Sequence, residues 1–299
     1  MGSFTEQWMA LGPVWQMYFT ALSFCTGACM GSFLNVCIYR IPREESVVFP
    51  GSHCPHCGTP IAWYHNIPLL SWILLRARCR HCRGPISARY VIVELLTAVL
   101  FLLVWLKFGP HDAARPLALA AIHDVRLVPV YWLAVFGLLL GTFVDLEHMI
   151  IPDRVSLGGI VLGLGLSALL PVMHHQHSML GGLGSALLGA VVGSGSLWLT
   201  AVIGKLIFKK DAMGMGDVKL LGAIGAFLGW VAVLFTVMIS SLVGAIVGLS
   251  LVLSRRKDMQ SRIPYGPYLA LAALIWLLWG PSLWNAYVEW MVPTPTVLP

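Results

Sequence analysis

Charged side chains are scarce in this sequence. Asp, Glu, Lys and Arg make up 11% of the 299 residues, whereas hydrophobic residues make up 58% and the mean hydropathy is +0.81. No soluble domain needs that much apolar sequence, so the composition indicates a membrane protein with several spans. The formal net charge is +6. In a membrane protein the meaning of that charge depends on which loops carry it, and nucleic-acid binding is the weaker interpretation.

Two sequence signals are also missing. No basic segment precedes the first apolar run, residues 15–38, which is long for a signal peptide and contains Asn35. We therefore interpret this run as a retained span rather than a cleaved signal peptide. No G-x-G-x-x-G motif follows a candidate strand, so nothing in the sequence predicts a Rossmann-type domain.

Long apolar runs dominate what is present. A membrane-spanning helix needs about 20 apolar residues. Six runs fit one span each or nearly so, at residues 15–38, 91–108, 127–144, 155–173, 179–203 and 268–287. The run 218–254 has 37 residues and would be about 55 Å long as one helix, against about 30 Å of hydrocarbon. We predict that it divides near Gly229, which makes eight spans, and that Gly280-Pro281 kinks or ends the last one.

The fifth span is rich in glycine. Its glycines include pairs at small-x-x-x-small spacing, and the set is Gly181, Gly182, Gly184, Gly189, Gly193 and Gly195. In a membrane span this pattern predicts close packing against another helix rather than a ligand site.

The distribution of Lys and Arg predicts the orientation. When alternate loops are counted, sixteen of the nineteen basic residues fall on one side and three, Lys107, Arg115 and Arg126, on the other. The side rich in Lys and Arg faces the cytoplasm. The loop 39–90 is therefore predicted to be cytoplasmic and both termini external. The predicted fold is an all-α polytopic membrane protein of about eight transmembrane helices with a small cytoplasmic loop. Its regions are an external N-terminus and first span (1–38), that loop (39–90) and a seven-span core (91–299).

The cytoplasmic loop contains two C-x-x-C pairs, Cys54 with Cys57 and Cys79 with Cys82. Four thiolates at this spacing suit tetrahedral zinc, and a disulfide is disfavoured in the reducing cytoplasm. A redox pair or free thiols are the alternatives. Three nearby histidines could each replace a cysteine as a ligand; they are His53, His56 and His81. A site with four protein ligands has no open position, so we predict a structural role for the metal.

Two aspartates lie at corresponding positions in the predicted topology. Asp145 is at the cytoplasmic end of the third span, and Asp217 is at the cytoplasmic start of the sixth, after Gly214-Met215-Gly216. Two close carboxylates cannot both ionise, so one can polarise a carbonyl while the other takes a proton from water. The alternatives are interfacial helix caps, or a proton or ion relay in a transporter with a metal-regulated loop. A further alternative places the reaction at the four-cysteine loop, as in a zinc hydrolase.

The motifs occur in an order that resembles one known family. They are Gly31-Ser32-Phe33-Leu34-Asn35-Val36 with Arg40 and Pro42, the two C-x-x-C pairs, Asn66-Ile67-Pro68-Leu69, Arg89-Tyr90 with Glu94, Asp145 with Ile151-Pro152-Asp153, Gly214-Met215-Gly216-Asp217 with Lys219, and Pro264-Tyr265-Gly266-Pro267-Tyr268. This set resembles the type IV prepilin peptidases, which are leader peptidases and N-methyltransferases of the GxGD aspartyl protease class. The resemblance runs from about Gly31 to Leu271.

The resemblance implies an enzyme of the bacterial cytoplasmic (inner) membrane with Asp145 and Asp217 as catalytic residues. Its substrates would be type IV prepilins or type II secretion pseudopilins, cut after a glycine between a basic leader and a hydrophobic helix. It also implies methylation of the new N-terminal residue from S-adenosylmethionine, for which no binding residues can be assigned. Glu94 is a candidate for that function or for a buried polar contact.

The sequence departs from the family pattern at two positions. Ala77 stands where the family usually has Gly, and Val91 stands where it usually has Pro. The methyl group of Ala77 would obstruct a close backbone approach, which bears on methylation.

A basic leader also needs acidic partners on so basic a cytoplasmic face. The candidates are Glu44, Glu45, Glu147 and Asp153.

Overall fold

A computed structural model describes residues 12–110, 124–209, 213–254 and 263–291. These residues form nine α-helices and no β-strand beyond two isolated bridges, which confirms the all-α prediction. The helices are α1 (Gly12–Arg40), α2 (Leu70–Leu74), α3 (Ala88–Phe108), α4 (Leu127–His148), α5 (Asp153–Leu169), α6 (Met179–Phe208), α7 (Met215–Leu228), α8 (Trp230–Leu253) and α9 (Gly266–Met291).

Six of these helices are long and apolar enough to cross a membrane: α1, α3, α4, α6, α8 and α9. The other two predicted spans correspond to α5, with 17 residues, and α7, with 14. At 1.5 Å per residue they are about 26 Å and about 21 Å long, shorter than a typical span. The count of eight spans therefore stays a prediction. The two termini and the basic cluster at residues 255–257, which the orientation argument used, lie outside the described residues.

The described residues divide into two compact units. The first contains residues 12–110 and 124–155, and the second contains the described residues from 156 onward.

In the first unit, glycines bring α1 and α3 together. A Cβ atom added to Gly27 would lie 2.7 Å from Cα of Ala98, and one added to Gly31 would lie 2.7 Å from Cα of Glu94. Only hydrogen fits at these two positions, because real Cβ atoms do not come so close to another backbone. Trp132 of α4 extends the packing, since its Nε1 donates to the carbonyl of Phe101 at 2.9 Å.

In the second unit, glycines on both helices allow α6 and α7 to touch. A Cβ added to Gly189 would lie 2.1 Å from the carbonyl oxygen of Gly225, and one added to Gly193 would lie 2.4 Å from that of Leu221. The predicted close packing is confirmed at Gly189 and Gly193. It is wrong for Gly184 and Gly195, where an added Cβ meets nothing within 4 Å.

The predicted break at Gly229 is confirmed between α7 and α8. Gly229 has φ +84° and ψ 171°, a conformation that a side chain does not tolerate. The break leaves the carbonyl of Ala226 without a helical partner, and two side chains supply one. His174 Nε2 lies 3.2 Å from that oxygen and the Ser167 hydroxyl lies 3.4 Å from it. By contrast, α9 continues through Pro281, so this proline does not end the helix.

Candidate functional site

The four cysteines of the loop come together as predicted. The sulfur atoms of Cys54, Cys57, Cys79 and Cys82 all lie within 4.8 Å of one another, and all four are free thiols. Cys54 Sγ and Cys82 Sγ are 3.9 Å apart. Among the described residues, the group that could hold a metal ion contains these four cysteines and none of the histidines.

Two copies of one backbone motif build this cluster. In the first, the Cys54 N–H donates to the Thr59 carbonyl at 3.0 Å, and in the second the Cys79 N–H donates to the Gly84 carbonyl at 2.8 Å. Each cysteine carbonyl in turn accepts a bond of 2.9 Å, from the N–H of Gly58 and of Arg83 respectively. The sequence carries a signal for this repeat that the spacing argument overlooked, since both copies read Cys-x-His-Cys-x-x-Pro-Ile.

The thiols of the cluster differ in acidity. A hydrogen bond with Thr59 lowers the pKa of Cys57 to about 6, and backbone N–H groups of Cys82 and His81 lower the pKa of Cys79. A backbone bond from Gly84 acts to lower the pKa of Cys82, but desolvation and the neighbouring sulfur atoms together raise it to about 11. Several thiolates so close together need a cation. The donor set fits Zn²⁺, for which four sulfur ligands are a common tetrahedral set.

The polar side chains of two membrane helices hold the loop in place. The guanidinium of Arg40, at the end of α1, donates to the carbonyls of Ser46 at 2.9 Å and Pro50 at 2.7 Å. The carboxylate of Glu94, in α3, accepts a bond of 2.8 Å from the N–H of Leu69. Glu94 therefore makes the buried polar contact that was one of its two predicted roles.

Asp145 lies in the last turn of α4 and is buried, with 5% of its surface exposed. The helix ends three residues later at His148, and the N–H of the next residue, Met149, which has φ +53°, donates to the Asp145 carbonyl at 2.9 Å. The chain then folds back along α4. Ile151 Cγ2 lies 3.9 Å from the position that a Cβ on Gly141 would occupy. The Ile151-Pro152 motif thus packs beside the helix that carries Asp145.

Asp217 lies in the first turn of α7, in the second unit. Its N–H donates to the Gly214 carbonyl at 3.2 Å, and its carboxylate lies over Gly214. A Cβ added to Gly214 would be 3.2 Å from Asp217 Oδ2, so this glycine gives the carboxylate room. Asp145 and Asp217 belong to different units, and each is placed at the end of a helix as predicted.

Two residues near Asp145 add detail that the sequence did not reveal. Glu147, a candidate partner for a basic leader, forms an ion pair with Arg89. Within the part of the chain that the structure describes, the buried Nε2 atom of His148 has no hydrogen-bond partner. His148 follows Asp145 by one helical turn. No pattern in the sequence distinguished it.

The chain matches two family models. The model for the bacterial peptidase A24 N-terminal domain covers residues 25–108, and that for the type IV leader peptidase family covers residues 132–249. No solved structure matches the chain with significance.

Three curated relatives match over nearly their whole length. A prepilin leader peptidase/N-methyltransferase of Aeromonas hydrophila is 40% identical, over 94% of this chain and 97% of the relative. Proteins with the same description from Aeromonas salmonicida and Pseudomonas putida are 38% and 35% identical, over 94% and 91% of this chain and 97% and 94% of their own lengths. Identity at this level over such coverage shows that the chain belongs to the type IV leader peptidase family.

Proposed function

We propose that this protein removes the basic leader from type IV prepilins or type II secretion pseudopilins, with Asp145 and Asp217 as its two catalytic carboxyl groups, and then methylates the new N-terminus. The observation that carries the proposal is the near full-length similarity to proteins described as prepilin leader peptidase/N-methyltransferase. The position of Asp145 in the last turn of α4 and of Asp217 in the first turn of α7 supports it, because the predicted topology puts both of these helix ends on the cytoplasmic side, where the leader would be cut.

In the proposed reaction the two carboxyl groups share one proton. The ionised one takes a proton from a water molecule, whose oxygen attacks the carbonyl carbon of the scissile bond. The protonated one hydrogen-bonds to the carbonyl oxygen and stabilises the charge that develops there. Transfer of a proton to the leaving nitrogen then breaks the C–N bond. The pair titrates as a unit, so neither aspartate is assigned as the permanent base.

The proposed substrate reaches the aspartates through the bilayer. A prepilin has a hydrophobic helix directly after its leader, and that helix would lie among the membrane helices with the scissile bond at their cytoplasmic ends. The predicted positive face of the enzyme would repel the basic leader. Because Glu147 is paired with Arg89, the remaining candidate partners for the leader are Glu44, Glu45 and Asp153, which are all exposed.

Methylation rests on the description of the relatives. S-adenosylmethionine would supply the methyl group, and the new amine would lose a proton as it forms the N–C bond. The described part of the chain contains no strand, so a Rossmann-type methyltransferase domain does not hold the cofactor there. The residues that bind it are not assigned.

The first test is the mass of the N-terminal peptide of a prepilin co-expressed with this protein. We expect cleavage after the leader glycine, with an added methyl group on the new N-terminus. A cleaved but unmethylated peptide would limit the activity to the peptidase. An uncleaved prepilin, with pseudopilins tested in turn, would favour the transporter alternative.

The second test replaces the carboxylates. Asp145→Asn and Asp217→Asn keep the side-chain shape and remove the ionisable group, so each is expected to lower the cleavage rate by about three orders of magnitude or more. Glu147→Gln is the matched control, because it removes a carboxylate two residues from Asp145 that is paired with Arg89. Cleavage that survives either Asn variant would rule out the two-aspartate mechanism. A zinc hydrolase would instead lose cleavage on chelation.

A further inference from the structure

The segment between the two cysteine pairs turns apolar side chains outward. In α2 the side chains of Leu70, Ile73 and Leu74 are 56%, 62% and 78% exposed. They follow i, i+3, i+4 spacing, so they form one stripe on one face of this short helix. The other face is turned to the protein, since Ser71 is buried and Trp72 Nε1 donates to the Ile86 carbonyl at 3.2 Å. The polar contacts of α2 are thus inside and its apolar stripe is outside.

The hydrogen bond from Leu69 to Glu94 sets the depth of this helix in the membrane. Leu69 directly precedes α2, and Glu94 lies six residues into α3. The 21 residues of α3 are about 32 Å long, only just enough to cross about 30 Å of hydrocarbon. Glu94 is therefore about 9 Å inside the cytoplasmic end of a helix that is needed in full to cross the bilayer. Leu69, bonded to it at 2.8 Å, is held near the boundary of the hydrocarbon.

Another exposed apolar residue of the same loop is held at a different level. Gly31 lies beside Glu94, and Arg40 is nine residues further along α1, about 13 Å toward the cytoplasm. Arg40 binds the carbonyl of Pro50, next to Phe49. Phe49 is 76% exposed, as much as Leu74, but its anchor lies about 4 Å outside the hydrocarbon, at the level of the lipid headgroups rather than the acyl chains. Exposure alone therefore does not distinguish the two residues, whereas depth does.

The residues that flank the stripe fit the surface of a bilayer. Trp63 and Tyr64, before α2, are 80% and 54% exposed, and such side chains are favoured at membrane interfaces. Arg76 and Arg78, after α2, are exposed, and neither takes part in a salt bridge among the residues of the structure's described ranges. Arginines at this level attract the phosphate groups of anionic lipids.

We propose that α2 lies in the cytoplasmic leaflet of the membrane, with Leu70, Ile73 and Leu74 among the acyl chains and Arg76 and Arg78 at the phosphates of anionic phospholipids. The segment then holds the four-cysteine cluster against the membrane surface, where a leader would emerge. This inference goes beyond the proposed function, because it concerns the bilayer and holds whether or not the protein cleaves prepilins.

The test places the photo-crosslinking amino acid p-benzoylphenylalanine at Leu74, Phe49 or Ile92 of the full chain. Ile92 is a reference for a membrane position, since it is 55% exposed on α3. Each variant is reconstituted in phosphatidylethanolamine and phosphatidylglycerol bilayers and irradiated, and lipid adducts are quantified by mass spectrometry. We expect the lipid yield at Leu74 to match that at Ile92 and to be several times that at Phe49. A yield at Leu74 as low as that at Phe49 would overturn the proposal.

Two further measurements test whether a prepilin or a second copy of this protein, rather than lipid, contacts the apolar stripe of α2. The reaction is repeated with a prepilin present, and a transfer of the Leu74 crosslink from lipid to prepilin would make the stripe a substrate surface instead. A crosslink between two copies of the protein would also overturn the proposal. Bound zinc in a variant shows that its loop is folded. If the Leu74 variant does not bind zinc, the crosslinker is placed at Leu70 instead.

The role of the arginines is tested with the crosslinker at Leu75, next to Arg76. We expect phosphatidylglycerol to be enriched among the adducts relative to its share of the bilayer, and relative to the adducts at Ile92. The double variant Arg76→Gln, Arg78→Gln should remove that enrichment while the total lipid yield stays the same. If the adducts at Leu75 and at Ile92 have the same lipid composition in the chain that keeps both arginines, the contact with anionic lipid is refuted.

Discussion

Ala77 adopts a backbone conformation that favours glycine. Its φ is +57°, and it follows Arg76, whose φ is +52°. Ala77 connects α2 to the end of the second cysteine motif, because its N–H donates to the Trp72 carbonyl at 2.9 Å and its carbonyl accepts from the Ile86 N–H at 2.7 Å. The usual glycine of the family at this position is thus explained by the turn itself, without a close approach of any ligand.

Replacing Ala77 with glycine is expected to stabilise the loop. A left-handed conformation costs an L-residue about 1–2 kcal/mol, and the greater freedom of glycine in the unfolded chain offsets about half of this. The net gain should be up to about 1 kcal/mol against local opening. Hydrogen exchange of the Ile86 amide measures it, and Ala77→Gly should slow that exchange. Ala62→Gly is the control, because Ala62 has φ −63°, and it should not slow the exchange.

The acidity of the cysteines predicts how zinc binding depends on pH. With pKa values of about 6 for Cys57 and about 11 for Cys82, the metal-free site at neutral pH holds one thiolate and one thiol at these positions. Zinc must displace the proton of Cys82, so its affinity should rise with pH, about tenfold per unit for each proton displaced. Below about pH 6 the Cys57 thiolate is protonated too, and the dependence steepens.

Competition with a chelator at several pH values measures this dependence. Cys82→Ser should bind zinc more weakly, and its zinc affinity should change less steeply with pH, because this variant has no Cys82 proton for zinc to displace. Cys25→Ser, which changes an exposed cysteine of α1 outside the cluster, should leave both affinity and slope unchanged. An affinity independent of pH would contradict the proposed ligand set.

At the level of the helices, the contact of α6 with α7 positions Asp217. Gly189 and Gly225 meet backbone to backbone, and α7 begins with the turn that carries Asp217. A methyl group at Gly189 would force the two helices apart, because the overlap is with a carbonyl oxygen and not with a flexible side chain. Asp217 would then shift with α7.

Gly189→Ala should therefore lower both stability and cleavage. Overpacking of this kind costs about 1–3 kcal/mol or more. The melting temperature and the rate of prepilin cleavage are the measurements. Gly195→Ala is the matched control on the same helix, since its Cβ meets nothing within 4 Å, and it should be neutral or slightly stabilising. Identical behaviour of the two variants would show that the α6–α7 contact does not position Asp217.

At the level of the whole molecule, the number of spans depends on the two short helices. If α5 and α7 both cross the membrane, the loop at residues 174–178 is external and Lys209 is cytoplasmic. Short spans of about 26 Å and about 21 Å can be accommodated by local thinning of the bilayer, at a modest cost per ångström of mismatch.

Alkaline phosphatase fusions test this topology, because the enzyme is active only outside the cytoplasm. Fusions after His177 and after the last residue of the chain should be active, and one after Lys209 should be inactive. A green fluorescent protein fusion at each site should give the opposite result. An inactive phosphatase after His177 would show that α5 does not cross the membrane.

The sequence alone determined the helical class, the break at Gly229, the four-cysteine cluster, the position of Asp145 and Asp217 at helix ends, and the family. These follow from local composition, from short spacings and from motifs in a fixed order. Only the tertiary structure decided which glycines pack, that Glu94 holds Leu69, that Ala77 is left-handed and that α2 turns its apolar stripe outward. Most of these depend on a partner far away in the chain, as with Leu69 and Glu94, which are 25 positions apart, and local patterns do not encode such pairings.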